Sequence, residues 1–357
     1  MEIQMREIPK CSFGTVFATL ASAILSLLSG CGGGSPAVTT NTTNTAVPSI
    51  YVGNFSMSGV YSVLQFARAA QGSATPIASL LLPTGFEIDC LTTDSTNQIY
   101  VGGALQVGTS YTWEVLVYAA AASGSATPVR TIVGSSTSFL TVSEVAVDSS
   151  GLLYVLTDLP APMVAVMAAS ANGVASPLRM ITGPATQISG GSLGIAVAPS
   201  GTLYVSNTGE GVGPGAVLAF TPTANGNAAP ARVISGGSTG FGALYGMDTD
   251  SSGNLYVLSI GLPIAPGVMT TIEEFAPTAN GNVAPIRMIG GSNTGLTDSN
   301  VMRVDNSTGT IYASIAGLPV NPSVETFAAT ASGNATPTAS FTSTAWNGSG
   351  YYGIALR

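Results

Sequence analysis

Residues 250–257 read DSSGNLYV, and the tripeptide that ends this stretch recurs along the whole chain. The six copies are Ile50-Tyr51-Val52, Ile99-Tyr100-Val101, Leu153-Tyr154-Val155, Leu203-Tyr204-Val205, Leu255-Tyr256-Val257 and Ile311-Tyr312-Ala313. Successive tyrosines lie 49 to 56 residues apart. Aliphatic and aromatic residues in this arrangement favour a buried strand. The sequence therefore contains six copies of one structural unit.

Two further sets of equivalent residues, with one member in each copy, keep a fixed distance in sequence from each other. We call each such set a column. A G-x-[AV]-x-P segment supplies the glycines Gly72, Gly124, Gly173, Gly226, Gly281 and Gly333, each four residues before a proline. Ten residues before the same prolines lie Phe66, Tyr118, Met167, Phe220, Phe275 and Phe327. Length variation is thus confined to the loops between rigid segments, as expected of a structural repeat.

Each unit predicts four short strands. An apolar strand such as Gly194–Val197 precedes an Asx-type turn such as Asp148–Gly151, and the tyrosine strand, the aromatic-column strand and a last strand such as Arg179–Ile181 follow. Four strands per unit in six units predict an all-β, six-bladed β-propeller of four-stranded antiparallel blades. Residues 352–357 match a first strand and residues 49–52 a second one. We therefore expect a 3+1 closure in which the C-terminal strand completes the N-terminal blade.

Residues 49–357 resemble the repeats of NHL-type and TolB-like six-bladed propellers, most closely at Asp250–Val257. The sequence departs from the NHL pattern after the tripeptide, where Gly53-Asn54 and Ser206-Asn207 stand in place of Ala-Asp. The resemblance implies the fold. It does not imply one activity, because propellers carry many unrelated functions.

The first thirty residues read as a lipoprotein signal peptide. Arg6 and Lys10 precede an apolar run from Phe13 to Leu28, and the run ends in Leu28-Ser29-Gly30-Cys31. This ending resembles the bacterial lipobox, which implies cleavage after Gly30 and attachment of acyl chains such as palmitate at Cys31. Because Gly32 rather than aspartate follows the cysteine, the resemblance favours the outer membrane. The expected address is therefore the bacterial cell envelope, with the protein facing the periplasm or the cell surface.

Three segments follow from this interpretation: a signal peptide at 1–30, a lipidated cysteine and flexible tether at 31–48, and the propeller at 49–357. The tether is rich in Gly, Ser, Thr and Asn and has no apolar period. Cys90 is then the single cysteine of the propeller. It cannot form an internal disulfide, and we expect it to lie in the core.

The composition excludes several mechanisms. The 357 residues carry a net charge of −8, only 7 % are charged, and the chain has no histidine. Without histidine there is no Ser-His-Asp triad and no imidazole metal ligand. An acidic chain with nine basic residues also lacks the electrostatic footprint of a nucleic-acid-binding protein.

Charged residues in columns of small residues mark the candidate site. Asp248 and Arg303 occupy equivalent places in neighbouring blades, where an ion pair near the central channel is expected, and Glu144 lies two positions earlier in its own blade. These three are the candidate ligand-binding residues. Arg130, Arg179, Arg232 and Arg287 each follow a repeat proline by two residues. We expect their stems to cover apolar surface with the heads in water, rather than to form an anion-binding ring.

The leading hypothesis is a non-catalytic binding module that is anchored to the membrane and recognises a protein, a glycan or a small ligand. No catalytic residue and no cofactor belong to this hypothesis. The alternative is a calcium-dependent lactonase or hydrolase of the gluconolactonase type, with Ca²⁺ held in the channel by Glu144, Asn54, Asn207 and Asp248. A purely structural role in an envelope assembly also remains open.

Overall fold

Short β-strands form almost all of the regular structure in the computed structural model, which describes residues 47–55, 59–135, 138–207, 215–260, 270–297, 299–315, 322–346 and 353–357. Within these ranges the helical content is one 3-10 turn, Pro184–Thr186. No helix in the described ranges has the length and apolar character that crossing a bilayer requires. The predicted signal peptide, Cys31 and the tether up to residue 46 lie outside the described residues.

The strands follow each other in the order that the repeat predicts. They are β1 (Ser49–Phe55), β2 (Tyr61–Ala67), β3 (Gly72–Ser73), β4 (Ala78–Leu81), β5 (Phe86–Thr93), β6 (Ile99–Val107), β7 (Ser110–Tyr118), β8 (Arg130–Val133), β9 (Glu144–Val147), β10 (Leu153–Thr157), β11 (Met163–Met167), β12 (Gly173–Val174), β13 (Arg179–Thr182), β14 (Ile195–Val197), β15 (Leu203–Asn207), β16 (Ala216–Phe220), β17 (Arg232–Ser235), β18 (Ala243–Thr249), β19 (Leu255–Ile260), β20 (Thr270–Phe275), β21 (Arg287–Gly290), β22 (Met302–Val304), β23 (Ile311–Ile315), β24 (Ser323–Phe327), β25 (Ala339–Thr342) and β26 (Ile354–Leu356).

These strands form six sheets around a common axis, which confirms the predicted six-bladed β-propeller. Blade 1 has the strand order β26-β1-β2-β4, blade 2 has β5-β6-β7-β8, and blade 3 has β9-β10-β11-β13. Blade 4 has β14-β15-β16-β17, blade 5 has β18-β19-β20-β21, and blade 6 has β22-β23-β24-β25. The first strand of each order lies innermost, next to the axis.

Blade 1 is assembled from both ends of the propeller segment. Strand β26 pairs antiparallel with β1, and Val52 lies opposite Ile354. The backbone of Ser49 and that of Arg357 exchange two further hydrogen bonds of 3.0 and 2.9 Å. This pairing covers the inner edge of β1 with a strand that lies about three hundred residues away in the chain.

The core lies between neighbouring blades. The column Leu91, Val145, Ile195, Met247, Met302 and Ile354 is at most 3 % exposed. Val145 packs in one cluster with Cys90 and Tyr100 of the preceding blade. Cys90 is a buried free thiol, which confirms its place in the core. The propeller therefore has six inter-blade apolar layers instead of one central core.

Each blade also holds the outer edge of the blade before it through the glycine of the G-x-[AV]-x-P segment. These glycines pair in parallel with a residue of the outermost strand: Gly72 with Phe341, Gly124 with Leu80, Gly173 with Ile132, Gly226 with Ile181, Gly281 with Ile234 and Gly333 with Ile289. We call this contact the glycine clasp. It saturates backbone groups that an edge strand would otherwise leave open.

Candidate functional site in the central channel

A cavity of about 640 Å³ occupies one end of the channel, where the innermost strand of each blade leads into its turn. All six blades line the cavity, and the wall is formed by the small-residue column Thr92, Ala146, Ala196, Asp248, Arg303 and Ala355. The rim carries hydroxyl and amide side chains: Ser95, Asn97, Ser149, Asn306 and Ser307. We call this cavity the turn-side cup. Its size is that of a pocket for a small organic ligand.

The turns that form the rim are fixed by their aspartates. Oδ1 of Asp148 accepts hydrogen bonds from the backbone N–H groups of Ser150 and Leu152, both at 2.9 Å. Gly151 has a φ of 83°, as the turn requires. Asn97 replaces this glycine in blade 2 and has a φ of 64°, in the region that asparagine tolerates best. The predicted Asx turns are therefore confirmed.

An ion pair crosses the channel next to the cup. Nη2 of Arg303 donates to Oε1 of Glu144 at 3.3 Å and to the carbonyl of Leu91 at 3.0 Å. The side chains of Arg303 and Glu144 are 11 % and 9 % exposed. Arg303 belongs to blade 6 and Glu144 to blade 3, and these two blades lie opposite each other in a ring of six. The ion pair therefore spans the diameter of the channel.

Asp248 has other partners than expected. Its carboxylate accepts hydrogen bonds from the backbone N–H groups of Thr249 and Val304, both at 2.8 Å. Arg303 forms its ion pair with Glu144 of the opposite blade instead. The expected Asp248–Arg303 ion pair is thus replaced by one that crosses the ring.

Burial dominates the electrostatics of this cluster. It raises the pKa of the carboxyl groups of Glu144 and Asp248, and the nearby Arg303 guanidinium opposes the rise in both. Burial and the Glu144 carboxylate also raise the pKa of the Cys90 thiol well above its usual range, so the thiol stays protonated. These groups therefore hold one another in place and favour a rigid wall.

The four residues proposed as calcium ligands each have protein partners. Nδ2 of Asn54 donates to Oγ of Ser62 at 3.4 Å, and Nδ2 of Asn207 donates to the carbonyl of Gln187 at 2.7 Å. Glu144 carries the Arg303 ion pair described above. Among the described residues, no three Asp, Glu, Cys or His side chains are grouped so that they could hold a metal ion.

Sequence reasoning missed the partners of the repeat arginines. Nη1 donates to a backbone carbonyl of the next blade in each case: Arg130 to Ala169, Arg179 to Ala224, Arg232 to Ala279 and Arg287 to Ala331, at 2.7 to 2.9 Å. The expectation that these heads lie in water is therefore wrong. The signal was a shared offset: the repeat arginine follows one proline by two residues, and the alanine six residues before the next proline accepts from it. For Arg130 that alanine is Ala171, which Nη1 contacts at 3.2 Å in addition to Ala169.

The guanidinium groups also contact the repeat tyrosines. Arg130 donates to the hydroxyl of Tyr100 at 2.9 Å and lies 5.6 Å from its ring centre. The Tyr100 hydroxyl donates in turn to Asp94 at 3.2 Å. Equivalent contacts join arginine to tyrosine in other blades: Arg179 to Tyr154, Arg232 to Tyr204, Arg287 to Tyr256 and Arg357 to Tyr51.

In blade 6 the arginine beside the turn comes from the neighbouring blade 1. Blade 6 has Ala339 at the position of the repeat arginine, and Arg68 of blade 1 instead forms an ion pair with the turn aspartate Asp305. Arg303 is thus the one arginine of the described chain that is neither next to a repeat tyrosine nor paired with a turn aspartate.

No protein-family model matches the sequence, and no curated protein matches it either. Solved structures that resemble the fold include the WD40 domain of Toxoplasma gondii coronin, with a TM-score of 0.50 and 13 % identity over 84 % of this chain and 69 % of that one. The Malassezia sympodialis allergen Mala s 1 has a TM-score of 0.48 and 15 % identity over 74 % of this chain and 83 % of the allergen. The likeness to the coronin domain shows the fold alone, at an identity too low to transfer function. The six sheets of this chain make it a six-bladed β-propeller.

Proposed function

We propose that this protein is a binding module that takes up a small ligand in the turn-side cup. The observation that carries the proposal is the geometry of the cup, a cavity of about 640 Å³ lined by all six blades and bordered by the Arg303–Glu144 ion pair. Small wall residues leave room, and the hydroxyl and amide groups of the rim can bind a polar molecule. The charged groups of the wall are bonded to each other or to backbone, which supports binding rather than turnover.

The test is a thermal-shift comparison with three probes on one sugar scaffold: glucose, glucuronate and glucosamine. A bound probe raises Tm by mass action. Ser149→Trp places a bulky side chain on the rim of the cup. Ser251→Trp is the matched control, because Ser251 has the same place in the turn of blade 5 but does not line the cavity.

We expect at least one probe at millimolar concentration to raise Tm of the wild type and of S251W, but not of S149W. If none of the three raises Tm, or if S149W responds like S251W, the cup is not the binding site. Calcium chloride without sugar belongs in the same series, because a rise in Tm that depends on Glu144 and Asp248 would instead favour the calcium-dependent alternative.

We further propose that the module is an envelope lipoprotein, with acyl chains on Cys31. Support comes from the sequence alone, namely the charged start, the apolar run and the lipobox. Mass spectrometry of the mature protein should find the chain starting at an acylated Cys31. Cys31→Ser should abolish the acyl mass and membrane fractionation, whereas Cys11→Ser should change neither. An unmodified mature protein would contradict the anchor.

A further inference from the structure

We infer that the turn-side cup selects a small hydroxylated carboxylate, such as a sugar acid, and that Arg303 binds its carboxylate group. This inference rests on the proposed binding function and adds the chemical class of the ligand. It follows from the hydrogen-bonding groups around the cup, some of which already have partners while others do not.

The carboxylate oxygens that line the cup each already accept a hydrogen bond. Four aspartates line it, and both carboxylate oxygens of each accept a hydrogen bond from the protein. In Asp94 and Asp148, Oδ1 binds turn N–H groups and Oδ2 binds a tyrosine hydroxyl. Asp248 binds the N–H groups of Thr249 and Val304. Asp305 binds the N–H of Ser307 and the Arg68 guanidinium.

The donors of Arg303 are not used up. A guanidinium has five N–H donors. The described contacts of Arg303 are one bond from Nη1 to the Met302 carbonyl and two from Nη2, to Leu91 and Glu144. Within the described part of the chain, Nε donates to no protein atom. A cation with spare donors beside a cavity lacks an acceptor, and a carboxylate oxygen can accept a charge-assisted hydrogen bond from Nε or from the second hydrogen of Nη1.

Two other arginines line the cup, Arg68 and Arg357. Arg68 is paired with Asp305, and Nη1 of Arg357 donates to the Tyr51 hydroxyl at 3.5 Å. Arg303 stands alone in a wall column that otherwise carries threonine, alanine and aspartate. Arg303 and Arg357 therefore both keep donors for an anionic ligand, and Arg303 is the one that belongs to the wall itself, which suits a ligand that carries a carboxylate.

The rim indicates the rest of the ligand. The side chains of Ser95, Asn97, Ser149 and Asn306 line the cavity and make no hydrogen bond to another described residue. Hydroxyl and amide groups with unused hydrogen-bond donors and acceptors can bind the hydroxyl groups of a sugar or hydroxy acid. A phosphate dianion fits less well, because it would bring a second negative charge into a cavity whose four aspartates outnumber its three arginines.

The experiment is calorimetric titration of the wild-type protein with glucuronate, glucose and inorganic phosphate. Glucuronate should bind and glucose, which lacks the carboxylate, should bind at least tenfold more weakly. The affinity for glucuronate should fall as salt is added. Two variants act in opposite directions. E144Q removes the carboxylate that competes for Arg303 and should strengthen glucuronate binding.

The double variant R303Q/E144Q keeps a neutral hydrogen-bonding pair in place of the ion pair and should lose glucuronate binding at least tenfold. R232Q removes an arginine outside the cup and should leave binding unchanged. Glucose binding as tightly as glucuronate overturns the inference while the binding function stands. Phosphate binding with the same dependence on Arg303, but without glucuronate binding, overturns the carboxylate. If no probe binds, the proposed function fails as well.

Discussion

At the scale of single residues, one buried carboxylic acid contributes a separable part of the dependence of stability on pH. Glu273 in β20 is 0 % exposed. Its Oε1 accepts hydrogen bonds from the hydroxyls of Ser259 and Thr271, whereas Oε2 has no partner within the described residues. Burial raises its pKa from 4.5 to about 8. The folded protein therefore keeps a proton on Glu273 that the unfolded chain has lost at neutral pH.

This difference sets the sign of the pH dependence. Between pH 4.5 and about 8 the folded state binds one proton more than the unfolded state, so stability falls as pH rises through this window. Glu273→Gln cannot ionise and should remove this part of the slope. From pH 5 to pH 8 the free energy of unfolding should fall more in the wild type than in E273Q, by on the order of 3 kcal/mol.

Urea denaturation at a series of pH values measures both slopes. Other buried carboxyls, Glu144 and Asp248 among them, contribute equally to the two proteins and cancel in the comparison. Parallel curves for wild type and E273Q would show that Glu273 is ionised in the folded protein.

At the scale of elements, the glycine clasp explains why the G-x-[AV]-x-P segment is constant. The N–H of Gly226 donates to the carbonyl of Met180 at 2.6 Å, and its carbonyl accepts from Thr182 at 3.0 Å. Oδ1 of Asn225 accepts from the N–H of Met180 at 3.2 Å. Together these bonds cover the outer edge of β13, so the blade presents no open edge there.

The clasp requires glycine for its backbone conformation rather than for space. The φ of Gly226 is 61°, and a Cβ at this position would have no atom within 4 Å. Gly226→Ala should therefore destabilise the protein by roughly 1–2 kcal/mol, because a left-handed conformation is costly for alanine. Gly226→Asn should cost less, because asparagine tolerates this region. Chemical denaturation measures both, and equal losses would mean that the side chain meets a steric obstacle.

Structural features that recur in every repeat could be predicted from the sequence, whereas features that occur only once could not. The tyrosine strands, the Asx turns and the buried column around Val145 could be predicted, because each depends on neighbours within one unit or at a fixed offset. The Arg303–Glu144 contact could not be predicted. It joins residues 159 positions apart and depends on the width of the channel and the rotamer of a long side chain.

The same reasoning explains the error about the repeat arginines. Sequence places Arg130 on an outer strand, where exposure is the usual outcome for arginine. Which loop of the next blade lies above that strand depends on the angle between blades, and the sequence of one unit does not contain that angle. The carbonyls of Ala169 and Ala171 lie within reach only in the assembled ring.

At the scale of the whole molecule, the ring depends on strand β26. Ile354 is fully buried, and the strand pairs with β1 from Ile50 to Val52. Removal of residues 353–357 should open the inner edge of blade 1 and cost several kcal/mol, at least the amount expected for the loss of one buried isoleucine. We expect this truncated protein to lose cooperative thermal unfolding and to aggregate through the exposed edge.

A circularly permuted chain tests whether the β26–β1 contacts, rather than the original chain order, stabilise the ring. Residues 353–357 are placed directly before Ser49 through a Ser-Ser-Gly connection, which copies the turn after Asp148. The permuted protein should recover cooperative unfolding near the wild-type Tm, as calorimetry can measure. Equal stability of truncated and permuted proteins would show that β26 contributes little to the closure of the ring.

The contact between Arg303 and Glu144 also restricts how this protein could change by gain or loss of a repeat. In a ring of six each blade has a counterpart at 180°, so two side chains of moderate length can meet across the axis. In a ring of seven, the position opposite each blade falls between two other blades. The Arg303 guanidinium would then have no carboxylate opposite it, and the Glu144 carboxylate would lose its ion-pair partner. Unequal recombination between the repeats, however similar their sequences, is thus penalised by this single pair of side chains.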